Sequence, residues 1–127
     1  MHIKTLITGL MLSMLLSSGA ANADWGDVYY CQMTNYIEIS LEGEKFNYKL
    51  EKLQFKLDQT KNAMVFGSTG FFADSVKELV KGSNWPSQEK WYAGNTSSIA
   101  YFDEGKFLYT RNGSMGIVSV SADCEKF

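Results

Sequence analysis

Apolar and polar residues alternate over residues 29–41, near the start of the chain. The odd positions carry aromatic, sulfur-containing and aliphatic side chains, with Asn35 as the exception, while the even positions are mostly polar, as at Gln32 and Glu38. Successive side chains of a β-strand point to opposite sides, so a period of two is typical of a strand with one buried face. We therefore predict a long strand here, with its odd face inward.

The same alternation recurs at the other end of the chain, over residues 118–124. There the even positions are valine, alanine and cysteine, while the odd positions are serine and aspartate. We predict a strand with its even face inward. Cys31 on the first strand and Cys124 on this one both lie on predicted core faces, which indicates that they meet.

The segment from residue 46 to 57 allows two interpretations. Apolar residues recur there with the spacing of a helix face, at Phe46, Leu50, Leu53 and Leu57. The segment also contains two alternating runs that change phase at Glu51-Lys52, and a bulge or corner exchanges the faces of a strand in that way. We favour two strands, because a helix would leave Tyr48 and Phe55 in solvent.

Turn-forming residues predict the shorter elements. The polar residues 58–62 form a hairpin loop that leads to a strand at 63–66, and residues 103–106 separate strands at 99–102 and 107–110. The dipeptide Asn112-Gly113 is a strong turn signal.

One short helix is predicted after residue 74. Ser75 and Glu78 match the Ser-x-x-Glu capping box, and Gly82 supplies a stop. An irregular loop is the alternative. The whole connection over residues 67–90 has little pattern, and connections of that length are often functional.

These elements predict one mainly β domain. Sequential strands joined by short turns are typical of an antiparallel meander, which at this size forms a small barrel or a curled sheet packed on itself. A bond between Cys31 and Cys124 would fasten the first strand to the last, where a barrel closes.

The first 23 residues resemble a secretory signal. Lys4 supplies the positive start, residues 6–16 the apolar run, and Ala21-Asn22-Ala23 a small-x-small cleavage site. The apolar run is shorter than the roughly 20 residues that span a bilayer. We expect residues 24–127 to be periplasmic or secreted, without a transmembrane segment; an uncleaved anchor is the alternative.

The cysteines fit that compartment. The chain has two, separated by 93 residues, and an even count in an exported protein indicates a disulfide. Closing so long a loop stabilises a domain by about 4–5 kcal/mol in the chain-entropy model. Redox-active pairs are usually Cys-x-x-Cys, so we predict a structural bond between Cys31 and Cys124.

Composition excludes several kinds of site. The only histidine is His2, in the predicted signal, so the mature chain has no histidine for catalysis or metal binding. Without the signal, 11 basic residues stand against 14 acidic ones, and Arg111 is the only arginine, which argues against nucleic acid as a partner. Asp103 and Glu104 are adjacent carboxylates at a predicted turn, where we expect solvated surface groups. We expect no metal and no cofactor.

Aromatic residues in the long connection and directly after it form the candidate binding surface. They are Phe71, Phe72, Trp85 and Trp91. Aromatic side chains outside regular strands can stack on sugar rings or anchor a partner protein. The alternative is that the tryptophans cap one end of a barrel as core.

Two resemblances add to this interpretation. Residues 25–33, 55–58 and 123–124 resemble a group of short exported proteins of marine bacteria and their phages, which implies export and no particular activity. The Tyr29-Tyr30-Cys31 sequence and Cys124 are also similar to periplasmic C-type lysozyme inhibitors.

The second resemblance implies an eight-stranded barrel. Those inhibitors act through a Ser-Gly-x-x-Tyr loop, whereas this chain has Ser68-Thr69-Gly70-Phe71-Phe72, with an extra threonine and no tyrosine hydroxyl. Because the chain has no catalytic motif but a predicted export signal and a long aromatic connection, the leading hypothesis is a non-enzymatic binding protein that contacts a protein or glycan of the cell envelope. The alternatives are a small carboxylate-dependent cell-wall hydrolase and a structural envelope or phage accessory protein.

Overall fold

A computed structural model of the chain describes residues 23–80 and 90–127. Within these residues all regular structure is β-strand, and every strand pair is antiparallel. The strands are β1 (Val28–Ser40), β2 (Lys45–Asn47), β3 (Lys52–Asp58), β4 (Ala63–Phe66), β5 (Val76–Glu78), β6 (Lys90–Gly94), β7 (Ser98–Asp103), β8 (Lys106–Gly113) and β9 (Gly116–Lys126).

The strands form one sheet that curls into a nearly closed barrel. Its order is β5-β4-β3-β1-β9-β8-β7-β6, with β2 paired to β1 beside this path. The two outer strands meet through a bridge between Leu79, just after β5, and Ala93 in β6. The prediction of a mainly β antiparallel meander barrel is confirmed.

The first and last strands pair along most of their length and join the two halves of the sheet. Cys31 lies directly opposite Cys124 in this pairing, and a disulfide bond connects them. Val118, Val120 and Ala122 are buried, so the even face of β9 is inward as predicted. The predicted bond between the two cysteines is confirmed.

The predicted inward face of β1 is right for only the first part of the strand. Tyr29, Cys31 and Met33 are buried, but the register with β9 shifts between Met33 and Asn35. One extra residue in a strand exchanges its two faces. After the shift Tyr36 packs against the core while Ile39 is exposed, so the prediction is wrong for residues 35–41.

The segment after β1 consists of two strands, as favoured above, and not of a helix. β2 and β3 pair with the same edge of β1, and the chain between them leaves the ladder at residues 48–51. Leu53, Phe55 and Leu57 of β3 are buried.

The predicted short helix is wrong. Of the two capping-box residues, Ser75 comes directly before β5 and Glu78 is the last residue of β5. This strand pairs with β4 through Val76, Lys77 and Glu78. A capping box needs a helical run that buries a face, and this segment instead completes an exposed sheet edge with backbone hydrogen bonds.

Large aromatic side chains fill the interior of the barrel. Phe55, Phe102 and Phe107 are fully buried and their rings pack against one another or against Tyr29. Among the described residues no polar or charged residue is buried, and none of them form a helix long and apolar enough to cross a membrane. The predicted signal lies outside the described residues, apart from Ala23.

Candidate functional site

Four aromatic side chains cover one end of the barrel, which we call the aromatic end: Tyr36, Phe71, Phe72 and Tyr109. Their ring centroids follow one another at 5.2 Å, 4.5 Å and 4.7 Å. Tyr36 and Tyr109 come from β1 and β8, while the two phenylalanines come from the loop over residues 67–75. The three half-buried rings of this set present a partly exposed apolar surface.

The loop is tied to the barrel by its backbone. The Phe71 amide donates to the Lys52 carbonyl at 2.9 Å, and Gly70 has a φ of +89°. A Cβ at Gly70 would lie 2.7 Å from that same carbonyl oxygen, so the close approach requires glycine.

Phe72 closes the barrel beneath this loop. Its φ is +66°, a left-handed conformation that is uncommon for a bulky residue. The ring nevertheless has a fixed position, because it packs against Phe66, Phe107 and Tyr109 at 4.7–6.0 Å between ring centroids. Packing on three sides outweighs the local backbone cost.

A lysine amine lies over the aromatic end. Lys77 pairs with Met64, whose side chain is buried, and its Nζ lies 5.0 Å from the Phe72 ring and 5.1 Å from the Tyr109 ring. Both contacts are cation–π interactions. Burial lowers the pKa of Lys77, because desolvation disfavours the charged amine.

The rim of this end carries further charges. Glu38 and Arg111 lie on the same inward row as Val118, one strand to either side of it. The Tyr48 hydroxyl donates to Glu38, and this bond raises the pKa of Tyr48. No carboxylate of residues 23–80 and 90–127 lies within ion-pair distance of Lys77 or Arg111.

The candidate residues predicted from sequence are only partly brought together. Phe71 and Phe72 are adjacent and half-buried at the aromatic end. Trp91 is 0% exposed and packs edge-to-face on Trp25 at 4.9 Å, so it takes the core alternative. Trp85 lies outside the described residues.

A second surface was missed by the sequence reasoning. Five side chains on the outside of β1, β9, β8 and β7 form what we call the outer aliphatic face: Ile37, Ile39, Ile99, Leu108 and Ile117. Four of them are 44–47% exposed, and Ile37 is half-buried. Ile39 and Ile117 lie directly opposite each other. The neighbouring outward positions on these strands carry asparagine, serine, threonine and tyrosine. The nearest charged side chains on the outside of β7, β8 and β9 are Asp103, Lys106 and Asp123, which lie side by side at one edge of the face.

A groove of about 280 Å³ crosses the outer aliphatic face. Its floor is β9, where Ser119 and Ser121 are small, and its walls include Ile37 and Leu108 on the flanking strands. Asn35 closes one end, since its Nδ2 donates to the Ser121 hydroxyl at 2.9 Å. The groove exists because small residues on a central strand lie between large ones on its neighbours.

The signal for this surface was present in the sequence but was assigned to the core. Ile37 and Ile39 continue the odd positions of β1, and only the register shift before Asn35 turns them outward. Ser119 and Ser121 were correctly expected on the wet face, but their role as a groove floor depends on which strands lie beside β9.

The carboxylates considered for catalysis lie at a turn. Glu104 is exposed with a φ of +48°, and Asp103 is the last residue of β7 and accepts a hydrogen bond from the Tyr101 hydroxyl at 3.2 Å. In the part of the chain that the structure describes, no three Asp, Glu, Cys or His side chains cluster as a metal site.

Comparison with known proteins found no relative of this chain. No protein-family model matches the chain, and no curated protein or solved structure matches it. The resemblances based on residues 25–33 and on the Tyr29-Tyr30-Cys31 sequence therefore stay predictions.

Proposed function

We propose that this protein is an exported, non-enzymatic binding protein that docks on a protein of the cell envelope through its outer aliphatic face. The observation that carries the proposal is an uncharged face with four exposed aliphatic side chains around a groove of about 280 Å³. Monomeric soluble proteins rarely expose contiguous apolar patches larger than a few hundred Å², and such patches often mark sites of interaction.

The size of the face supports a protein partner. Four strands about 4.8 Å apart and three outward rows about 7 Å apart cover roughly 400 Å². A standard interface buries about 800 Å² on each partner, with an apolar centre and a polar rim. The outer aliphatic face is therefore large enough to be such a centre, with Asp123 and Lys106 at its rim.

The groove supplies a place for an anchor residue. Interfaces concentrate their binding energy in a few large side chains that fill desolvated pockets. An aliphatic or aromatic side chain of the partner would lie over Ser119 and Ser121, between Ile37 and Leu108. The disulfide bond supports an oxidising compartment outside the cytoplasm, since such bonds are rare inside it.

The test compares capture by variants of the oxidised, exported protein. Leu108→Gln and Ile117→Gln, made together, change two exposed side chains on the face, and we expect loss of a partner that the unchanged protein retains from envelope extract. Val76→Gln is the matched control, because Val76 is equally apolar and 53% exposed but lies on β5. The proposal is wrong if the face variant and the control capture the same protein equally, or if isolated peptidoglycan is the ligand retained.

A further inference from the structure

Cross-strand pairs on the outside of β8 and β9 combine residues of opposite character. Lys106 lies opposite Asp123, and their side chains form an ion pair at 2.7 Å while both remain exposed. In the next outward row Leu108 lies opposite Ser121, so a large apolar side chain is beside a small polar one. The two strands therefore present a positive charge beside a negative one, and a ridge beside a groove.

This arrangement is complementary to itself. A two-fold axis that runs parallel to the strands, above the line between β8 and β9, places β8 of one copy over β9 of a second copy at the same height, and the reverse. Each outward side chain then meets the residue type that lies opposite it within its own sheet. In an isologous interface every such contact occurs twice.

We propose that the protein that covers the outer aliphatic face is a second copy of this chain, related to the first by that two-fold axis. The inference rests on the proposed function, because it names the partner that docks on this face. Leu108 of each copy enters the groove of the other over Ser121. Lys106 of each copy pairs with Asp123 of the other, so four charges alternate in sign at the edge of the interface.

The strands on either side add apolar contact. Ile99 of β7 and Ile37 of β1 belong to one outward row, with Thr110 and Ser119 between them. The axis places Ile99 of each copy over Ile37 of the other, and Thr110 over Ser119. Sheets that pack face to face are about 10 Å apart, a distance that interdigitated side chains of this size fill.

The charges at the edge of the face allow two identical copies to approach. Asp103 is the remaining charge in the row of Lys106 and Asp123, and the axis places it over Gln32 of the other copy. No like charges therefore face each other in this row. Like charges across an interface exclude a partner, so this row favours the two-fold arrangement.

The contact is centred on the outward rows of Lys106, Leu108 and Thr110. Ile117 lies in the next row, where it meets Asn112 of the other copy and finds no complementary side chain. The dimer therefore depends more on Leu108 than on Ile117. The face covers roughly 400 Å² in each copy, below the roughly 800 Å² of a standard interface, so we expect a dimer that dissociates on dilution.

Sedimentation equilibrium of the purified, oxidised protein measures this association. We expect the mass to rise from one chain toward two as the concentration approaches about 1 mM. Leu108→Gln should weaken dimerisation by at least about tenfold, because two buried leucines are lost in each dimer. Val76→Gln, at an exposed position on β5, is the control and should leave dimerisation unchanged.

A mass of one chain at every concentration, or a dimer that Leu108→Gln does not weaken, would overturn the proposal. Equal weakening by Val76→Gln would also overturn it. If the protein stays monomeric but capture from envelope extract still depends on Leu108 and Ile117, the proposed function stands and only the second copy is excluded. A monomer whose capture does not depend on these residues would remove both.

Charge reversals test the two-fold arrangement itself. Lys106→Asp and Asp123→Lys should each weaken dimerisation by at least about tenfold, since each places like charges opposite one another at both symmetry-related contacts. A mixture of the two variants should form a heterodimer, because the reversed charges then face opposite charges in the other chain. Within each variant the neighbouring charges still repel, so recovery in the mixture comes only from contacts between copies.

Both substitutions made in one chain should also restore the dimer. Lys106 and Asp123 are 69% and 59% exposed, so the variants should fold, and thermal unfolding checks this. Absence of recovery in both the mixture and the double variant would show that these residues do not meet across a two-fold axis, and would overturn the proposal.

Discussion

Cys31 of the first strand and Cys124 of the last lie directly opposite each other, and the disulfide bond between them joins positions 93 residues apart. The bond is next to the fully buried Met33 and Ala122 pair, so it holds together the two strands on which both halves of the sheet depend. The disulfide bond and the buried Met33–Ala122 contact therefore stabilise the same pairing of β1 with β9.

We predict that the protein carries this bond when it is produced in an oxidising compartment, and that its stability depends on it. Mass spectrometry without reduction should give a mass two hydrogen atoms below that of the dithiol, with no thiol available for alkylation. Replacing both cysteines by alanine should lower the free energy of unfolding by about 2–5 kcal/mol, the range that is typical when a native disulfide is removed from a small secreted domain. Two alkylatable thiols in protein produced in an oxidising compartment would contradict the prediction.

The two ends of the barrel should respond differently to loss of an aromatic ring. Trp91→Ala should lower the free energy of unfolding by about 3–5 kcal/mol, and Phe72→Ala by about half as much, because Phe72 is only half-buried. Phe127→Ala is the control, since that ring is 87% exposed, and it should cost less than about 1 kcal/mol. Chemical denaturation gives the three free energies of unfolding. Trp91→Phe provides a milder change if Trp91→Ala does not fold. Equal losses of stability in Phe72→Ala and Phe127→Ala would show that the loop does not close the barrel.

The raised pKa of Tyr29 predicts a loss of stability at alkaline pH. Burial and, to a smaller extent, the charge and hydrogen bond of Asp27 raise the pKa of Tyr29 to about 12. The unfolded chain loses this proton near pH 10 and the folded chain near pH 12, so the contribution is complete below pH 10 and falls as the pH rises between the two values.

The measurement compares unfolding free energies at several pH values. Tyr29→Phe should lose less stability than the unchanged protein between pH 10 and 12, because it has no proton to release at this site. Tyr30→Phe, on the opposite face of β1, keeps Tyr29 and should follow the unchanged protein. Parallel curves for all three proteins would exclude Tyr29 as the source.

The turn between β8 and β9 should tolerate a methyl group at one glycine and not at the other. Gly116 has a φ of +148°, and a Cβ there would lie 2.2 Å from the Ile39 carbonyl oxygen, so Gly116→Ala should cost about 1–3 kcal/mol. At Gly113 the nearest atoms would be 3.8 Å away, and Gly113→Ala should change stability by less than about 0.5 kcal/mol. Thermal unfolding distinguishes the two; similar melting of both variants would contradict the close approach of β1 and β9 here.

How far the fold could be predicted is clearest in β1. Alternation predicted a strand over residues 29–41, and the structure has one from Val28 to Ser40. It could not locate the shift between Met33 and Asn35, because the apolar residues continue at odd positions on both sides of that shift. The same limitation turned Ile37 and Ile39 from predicted core into exposed surface. The outer aliphatic face was unpredictable for this reason.

The candidate site was predicted in part. The loop phenylalanines Phe71 and Phe72 do lie together at a half-exposed position, whereas Trp91 is core because alternation in β6 points it inward beside Phe102. Lys77 was expected in a helix. Its position over two rings depends on β5 pairing with β4, and that pairing has no local signature in three residues.

The sequence by itself determined most of the strands, most of the turns and the pair of cysteines, because these follow from side-chain alternation and from the backbone preferences of neighbouring residues. Only the tertiary structure decided which faces are exposed, which strands flank the small residues Ser119 and Ser121, and which rings lie beneath Lys77. Those features depend on register and on contacts between strands distant in sequence, such as β1 with β9, and such contacts are set by the packing of the whole barrel.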